Sequence, residues 1–308
     1  AHACLLMRPG SIMVEYNPRF SHRKGGITLE SGRTQHLKSA LKAGAIMGIG
    51  LGAGILSGLL GVGGGFILVP AMVYLIGLSQ HQAHGTSLAV MIFIVLLGAI
   101  TYSQSGQMNW LVAIELAIGG VFGAMIGARL ANKLSAKRLK RYFGLLLLFV
   151  AARMIYDVVS SASGAGPVNG HAVSAGGFGA VAVLGLGVLT GMLSGLMGVG
   201  GGIIMVPAMV YLMGLSQKMA QGISLAVIIP VSISGAIIHA KHGNVRADVW
   251  HWLVFGGVAG GLIGARLAIV LPSEILRVIF GGLMIVLGTM MVVGRKRDRR
   301  QVDNAGGG

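Results

Sequence analysis

The chain has 308 residues, of which 54% are hydrophobic and only 10% charged, and its mean hydropathy is +0.81. Soluble domains carry about 25% charged residues, so this composition excludes an ordinary soluble protein and favours a polytopic protein of the lipid bilayer. The net charge of +16 does not indicate nucleic-acid binding, because the basic residues cluster beside apolar runs, as the positive-inside bias predicts. The single cysteine, Cys4, excludes an intrachain disulfide and a cysteine-rich metal site, and we expect no metal and no cofactor.

The chain contains an internal repeat at an offset of 137 residues. Between Ser57 and Val90, 26 of 34 positions are identical to the residue 137 positions later. We therefore predict an all-α fold of two homologous halves. In chain order the organisation is a polar basic arm (1–41), a first membrane repeat (42–160), a Gly/Ser/Ala-rich linker (161–177), a second membrane repeat (178–294) and a basic tail (295–308).

Each half contains five apolar segments. They are 43–60, 66–78, 86–104, 110–131 and 139–158 in the first half, and 178–197, 203–215, 222–240, 249–270 and 273–293 in the second. The second segment of each half is short, since at 1.5 Å per residue it covers about 20 Å of a hydrocarbon layer of about 30 Å. The first and second segments of a half therefore either both cross the membrane or together form a re-entrant pair, and the pattern leaves both arrangements open.

The distribution of charge predicts the topology. The arm, the stretch Lys133–Arg141 and the tail are basic, whereas the linker contains no Lys or Arg. All three basic stretches lie in the cytoplasm only if each half crosses the membrane an odd number of times. The second half is then inverted relative to the first, and both termini are cytoplasmic. Inverted repeats are typical of secondary transporters, whose substrate site lies at the repeat interface near the membrane midplane.

A Gly-rich motif, GVGGG, interrupts the apolar pattern once in each half. Glycine breaks a helix and exposes backbone, which is costly in lipid unless a partner binds it. The helix that follows presents its N-terminal N–H groups, which attract anions. We therefore predict that two inverted breaks bind a small anion between them. The predicted substrate-binding residues are Ser57, Gly61, Gly63, Gly64, Gly65, Pro70 and Ser87 in the first half, and Ser194, Gly198, Gly200, Gly201, Gly202, Pro207 and Ser224 in the second. Both prolines are expected in or near the first turn of the short helix, where a missing N–H is harmless.

Close helix packing is the alternative explanation for these glycines. GxxxG spacing occurs at Gly54/Gly58 and Gly191/Gly195, and also along the fourth segment of each half. We expect packing to explain the glycines of the fourth segments. We favour a ligand loop for GVGGG, because three consecutive glycines exceed what packing requires.

These motifs resemble a known family. The stretch SGLLGVGGGFILVP and its copy SGLMGVGGGIIMVP, followed by GTSLAV or GISLAV and by GARLA, are similar to the TauE/SafE sulfite exporter family. The resemblance covers residues 42–294. It implies a secondary carrier in a bacterial cytoplasmic membrane that exports small sulfur-containing anions such as sulfite, sulfoacetate or other organosulfonates.

Charged residues inside apolar segments are the other candidates for function. Arg129 and Arg266 are equivalent positions of the repeat, and either attract or gate anions or anchor their helices at the membrane interface. Glu115 is expected to form an ion pair with Arg153, or alternatively to bind a coupling proton. Asp157 is expected to be solvated.

Four histidines lie near the ends of the third segments, where metal binding and pH sensing are the functions to weigh. His81 and His84 become Lys218 and Gln221 in the second half, which disfavours a symmetric metal site and makes them surface histidines. A pH-sensing role for His239 is left open, as it is for His242.

A passive anion channel is the main rival to a carrier. An intramembrane enzyme is less favoured, because neither GxSxG nor HExxH is present and the chain is therefore not expected to be an enzyme.

Overall fold

The structure is a computed structural model that describes residues 28–131, 136–162, 179–197 and 201–293, with side chains described over 43–127, 130, 141–160, 179–193 and 201–293. The basic tail, most of the linker and most of the arm lie outside these residues. The chain divides into two compact units, residues 1–42 and residues 43–308. The two predicted repeats therefore belong to a single unit.

The described residues are helical and contain no strand. The helices are α1 (Thr28–Leu60), α2 (Gly65–Ala71, continued by a π-helical turn, Met72–Ile76), α3 (Gln80–Gln104), α4 (Trp110–Ala131), α5 (Ala136–Ala162), α6 (Ala180–Met197), α7 (Gly202–Leu212), α8 (Gln217–Lys241), α9 (Ala247–Val270) and α10 (Ser273–Val293). All ten predicted segments correspond to helices. α1 begins at Thr28, so the last part of the predicted polar arm is helical.

Seven helices of the described residues are long and apolar enough to cross a membrane, and α2, α6 and α7 provide shorter apolar stretches. The predicted all-α polytopic membrane fold is confirmed. Many large apolar side chains are exposed at the protein surface, which suits a protein surrounded by lipid.

Capping residues fix where the third segment of each half begins. The Ser79 side chain accepts a hydrogen bond from the backbone N–H of Gln82 (3.3 Å), and the Gln82 side chain accepts one from the Ser79 N–H (3.3 Å). Ser216, the equivalent position in the second half, caps α8 through the N–H of Met219 (3.2 Å). These side chains satisfy N–H groups that a helix start would otherwise leave unpaired in an apolar environment.

The first segment of each half packs against the fourth segment of the other half. A Cβ placed on Gly50 of α1 would lie 2.5 Å from the Leu253 carbonyl oxygen of α9. The equivalent Gly187 of α6 would meet the Leu116 carbonyl oxygen of α4 at 2.6 Å. The fourth-segment glycines pack in the same way. Gly119, Gly123 and Gly127 lie against Leu184, Val188 and Met192, and Gly256, Gly260 and Gly264 lie against Met47, Leu51 and Ile55. Small residues allow backbones to approach closely in membranes, so packing accounts for these glycines.

The third segments, α3 and α8, pack against each other in an antiparallel arrangement. A Cβ on Gly98 of α3 would lie 2.9 Å from Leu225 Cδ1 of α8, and a Cβ on Gly235 of α8 would lie 2.8 Å from Leu88 Cδ1 of α3. Gly85, near the start of α3, lies against Asn244, just after the end of α8. The fifth segments, α5 and α10, also meet reciprocally.

The reciprocal contacts define a twofold relation between the halves. A contact between residue i of the first half and residue j of the second recurs at an offset of 137 in both directions. Because equivalent helices α3 and α8 run antiparallel, the axis of this relation is perpendicular to them. This is the arrangement that inverted repeats require, and inversion in the membrane stays a prediction.

Candidate functional site

The first GVGGG motif forms a sharp break between α1 and α2. Gly61, Gly63 and Gly64 have φ values of 70°, 79° and 72°. Residues other than glycine rarely adopt this left-handed region. The backbone conformation of the break therefore explains why these positions are glycine. Gly64 precedes α2, and no side chain caps the first turn of that helix. The N–H groups of this turn are therefore not satisfied by a capping side chain.

The second break is described in part. Gly201 has a φ of 66° and precedes α7, which begins at Gly202 and likewise has no side-chain cap. Gly198 and Gly200 lie outside the described residues, as does the side chain of Ser194. The described part reproduces the backbone conformation of the first break.

The two breaks meet inside the protein. A Cβ placed on Gly202 would lie 2.7 Å from the Val62 Cα and 2.9 Å from the Gly61 carbonyl oxygen. These residues are buried. The sequence predicted this meeting from inversion of the repeat. The breaks touch, so the structure leaves no space for a solute between them at this contact.

The junction lies halfway along α3 and α8. A Cβ on Gly63 would lie 2.7 Å from Met91 Cε and 3.2 Å from Ile228 Cδ1. Met91 is the twelfth of 25 residues in α3, and Ile228 is the twelfth of 25 in α8. Equivalent residues of the two halves therefore contact the same glycine at the middle of both helices.

Buried polar side chains without hydrogen-bond partners surround the first break. Ser57 and Ser224 are 0% exposed, and the hydroxyl oxygen of each has no hydrogen-bond partner among the described residues. A Cβ on Gly64 would lie 3.2 Å from the Ser57 Cβ. Gln221 and Ile228 both contact the break, and Ser224 lies between them on the same face of α8. An unsatisfied buried donor or acceptor costs about 1–3 kcal/mol, so these groups are suited to bind a polar solute.

Sequence reasoning missed two glutamines on α8. Gln217 is 0% exposed and both of its amide atoms lack partners, while Gln221 is 0% exposed and its Nε2 lacks one. Together with Ser224 they form a polar stripe at i, i+4 and i+7 that runs from the start of α8 to the break. Amide side chains recurring at helical spacing in an apolar segment were the signal in the sequence.

Tyr102 connects this stripe to α1. Its hydroxyl lies within hydrogen-bond distance of two acceptors, the Gly58 carbonyl oxygen (3.0 Å) and Gln221 Oε1 (3.2 Å). Tyr102 is wholly buried at the C-terminal end of α3. This network holds α1, α3 and α8 together where α8 begins.

The remaining predicted residues lie close to the break or just beyond it. The Ser87 hydroxyl donates to Met91 Sδ (3.7 Å) and lies 3.5 Å from the Cβ position of Gly65. The prolines lie near the first turn but not in it, so the expectation that their missing N–H is harmless is wrong. Pro70 follows the N-cap Gly64 by six residues and Pro207 follows Gly201 by six, so each lies in the second turn. A proline there removes an i→i−4 hydrogen bond, and α2 continues as a π-helical turn directly afterwards.

Two cavities lie beside the short helices that follow the breaks. A cavity of about 480 Å³ lies against α7 and is lined by Pro207, Tyr211 and Arg153 among apolar side chains. A cavity of about 150 Å³ lies against α2 and is lined by Gly65, Pro70 and His84, again among apolar side chains. Both cavities also contact α5 and α10.

The predicted ion pair between Glu115 and Arg153 is wrong. Arg153 Nη1 pairs with Asp157 Oδ1 at 2.8 Å on the same helix, and Arg153 also lies over the ring of Tyr211, 5.8 Å from its centroid. Asp157 is 7% exposed, so the expectation that it is solvated is wrong. Glu115 is partly buried on α4, and its role in binding a proton stays a prediction.

Of the equivalent arginines Arg129 and Arg266, the structure describes the side chain of Arg266. Arg266 is exposed on α9, next to the buried Ala265. The side chain of Arg129 lies outside the described residues. Whether this pair attracts anions or anchors the helices stays a prediction. In the described part of the chain, no three His, Cys, Asp or Glu side chains converge to hold a metal ion.

Comparison with known proteins relates this geometry to a family. The family model described as "Sulfite exporter TauE/SafE" matches residues 5–154 and 180–307. The probable membrane transporter protein YunE of Bacillus subtilis is 27% identical over 259 residues, which cover 79% of this chain and 95% of that protein. A probable membrane transporter protein of Xylella fastidiosa is 27% identical over 261 residues, covering 84% of this chain and 95% of the relative.

A third relative is longer than the chain. The probable membrane transporter protein MamO of Magnetospirillum gryphiswaldense is 23% identical over 283 residues, which cover 80% of this chain and 45% of that protein. No solved structure matches the chain. The family match extends over both halves, including both GVGGG breaks. The chain therefore belongs to the TauE/SafE sulfite exporter family and is a multi-pass membrane transporter.

Proposed function

We propose that this transporter is a secondary carrier that exports small sulfur-containing oxyanions, such as sulfite or organosulfonates, across the cytoplasmic membrane. The observation that carries the proposal is the contact between the two glycine breaks at the middle of α3 and α8, beside buried hydroxyls that lack partners. Family membership supports the sulfur chemistry of the substrate.

The chemistry of the groups around the breaks suits an oxyanion. Uncapped helix starts at Gly64 and Gly201 offer backbone N–H donors, and the hydroxyls of Ser57 and Ser224 are further donors. Anions bind favourably at helix N-termini and in nests of backbone N–H groups. An anion between the breaks offsets both the cost of broken helices and the cost of unpaired buried hydroxyls.

The proposed orientation has both termini and all basic stretches in the cytoplasm. The antiparallel packing of α3 against α8 supports inverted halves, because equivalent spanning helices then cross in opposite directions. Inverted repeats permit alternating access around a central site. The 150 Å³ cavity beside α2 reaches Gly65 of the first break, and the 480 Å³ cavity lies beside α7, so each is a route by which the site opens.

Counterflow in proteoliposomes tests this function and separates a carrier from a channel. Vesicles loaded with unlabelled sulfite should accumulate labelled external sulfite transiently, because a carrier returns through its cycle faster when loaded. We expect the same effect with sulfoacetate and none with chloride. Flux that does not saturate, follows the membrane potential alone and lacks counterflow would favour a passive channel. Absence of flux for every sulfur oxyanion would contradict the proposed substrate class.

A further inference from the structure

The two ends of the α3–α8 pair carry different chemistry at equivalent positions. At the start of α8, Tyr102 of α3 is hydrogen-bonded to Gln221 of α8 (3.2 Å). At the offset of 137, the equivalent pair at the other end is His239 of α8 and His84 of α3. A neutral tyrosine–amide pair therefore occupies one end of the helix pair, and two imidazoles occupy the other.

The imidazoles at this end are close together. A Cβ on Gly85, next to His84, would lie 2.9 Å from the Cβ of His239. His239 and His81 are near enough to His84 to act on its charge, and His242 acts on His239 in the same way. His81 and His242 are exposed, whereas the other two are partly buried. The cluster therefore extends from the protein surface to the packed contact between α3 and α8.

Within the ranges whose side chains are described, the other charged groups at this end do not offset charge on the cluster. Asp248, the acid that begins α9, forms a two-point ion pair with Arg246 (2.9 and 2.7 Å). Lys241 and Arg246 are positive, and His251 binds the Ala247 carbonyl of its own helix. On α5, Arg141 is exposed two residues before Phe143, which shares the 150 Å³ cavity with His84. Among the described residues, α2 contributes no ionisable group here.

We propose that His84 and His239, the partly buried pair of this cluster, form a proton-binding closure for one side of the transport site. Neutral imidazoles of His84 and His239 do not repel each other, so α3 and α8 stay packed at this end. Proton uptake turns both partners into cations and donors, so like charges repel across the contact and the helix ends separate. Because His84 lines the cavity that leads to Gly65, separation opens the site on that side.

The opposite end supplies the matched variant. The double variant His84→Gln/His239→Tyr replaces the two histidines with the residue types that occupy the equivalent positions, Gln221 and Tyr102, at the other end of the helix pair. Spin labels at Gln80 and Ala240, both exposed, report the separation of the two helix ends in a Cys4→Ser background. Since a free imidazole titrates near pH 6.5, distances are compared at about pH 7.5 and about pH 5.5. We expect the distance to lengthen on acidification in the parent chain and to stay constant in the double variant.

Flux is the second readout, and it rests on the proposed function. We expect the flux of sulfoacetate, whose sulfonate and carboxylate are ionised at both pH values, to change about fivefold or more in the parent and to be insensitive to pH in the double variant. His251→Gln, which removes a histidine at the same end outside the cluster, should behave like the parent. If the double variant does not fold, His84→Gln alone should remove most of the change.

The two readouts separate the possible failures. A spin-label distance that is unaffected by pH in the parent, or that still lengthens in the double variant, overturns the closure. A pH-dependent distance in a protein that moves no sulfur oxyanion supports the closure and contradicts the proposed function.

Discussion

Replacing Gly202 with alanine should reduce sulfite flux by about tenfold or more while the protein still inserts and folds. The added Cβ would lie 2.7 Å from the Val62 Cα and 2.9 Å from the Gly61 carbonyl oxygen, so one backbone must move. Overpacking costs about 1–3 kcal/mol, and 1.4 kcal/mol corresponds to a factor of ten. The change acts where the two breaks meet, and we expect it to hold them in the wrong positions for binding. Flux in proteoliposomes measures the effect.

Gly185→Ala on α6 is the matched control. A Cβ at Gly185 meets nothing within 4 Å, and alanine favours a helix over glycine, so flux and thermal stability should be unchanged or slightly raised. Gly65→Ala should have an intermediate effect, because its nearest neighbour is the flexible end of Met91 at 2.8 Å rather than backbone. Full activity of Gly202→Ala would show that contact between the breaks is not needed for transport.

Gly260→Ala should cause a large loss of stability, because the glycine lies in the packed interface between α9 and α1. Its Cβ would collide with the Leu51 carbonyl oxygen of α1 and lie 2.9 Å from the Ile55 N. Both are backbone atoms of a packed helix, so no rotamer change relieves the contact. We expect a loss of about 1–3 kcal/mol, seen as a lower melting temperature of the purified protein.

The twofold relation predicts an equivalent loss of stability in the interface between α4 and α6. Gly123 occupies the equivalent position on α4, where its Cβ would collide with Val188 of α6. Gly123→Ala should therefore cost a similar amount, and the double variant should lose about the sum because the two interfaces are separate. Gly282→Ala, with nothing within 4 Å, is the control. Equal melting temperatures for Gly260→Ala and Gly282→Ala would contradict the packing of α1 on α9.

Much of the fold followed from the sequence because lipid imposes simple rules on it. Apolar length predicted the helices, and the repeat predicted equivalent breaks at Gly61–Gly65 and Gly201–Gly202. The helical part of the arm was not predicted. Helix α1 begins at Thr28, among polar residues that show no apolar periodicity. The prolines were expected in or near the first turn. Each lies in the second turn, because the first-turn position is only a preference, and there its missing N–H removes a helix hydrogen bond.

The candidate site was predictable only where the two halves agree. Ser57 and Ser224 were found because the repeat duplicates them, whereas Gln221 was missed because its counterpart in the first half is His84. Gln217 was missed although its counterpart is Gln80, because it lies before the predicted apolar segment 222–240. The Glu115–Arg153 pair failed for a related reason. Sequence gives the depth of a charge but not which helix it faces, and Arg153 bonds Asp157 on its own helix instead.

The central claim is that hydroxyls beside the meeting point of the breaks bind the substrate oxyanion. Calorimetric titration of the purified protein with sulfite tests it most directly, comparing the parent with Ser57→Ala/Ser224→Ala and with Ser234→Ala, an exposed serine elsewhere on α8. Hydrogen bonds to charged groups are worth about 1.5–3 kcal/mol, so we predict a loss of affinity of about tenfold or more for the double variant and none for Ser234→Ala. Equal sulfite affinity in all three proteins would contradict the account.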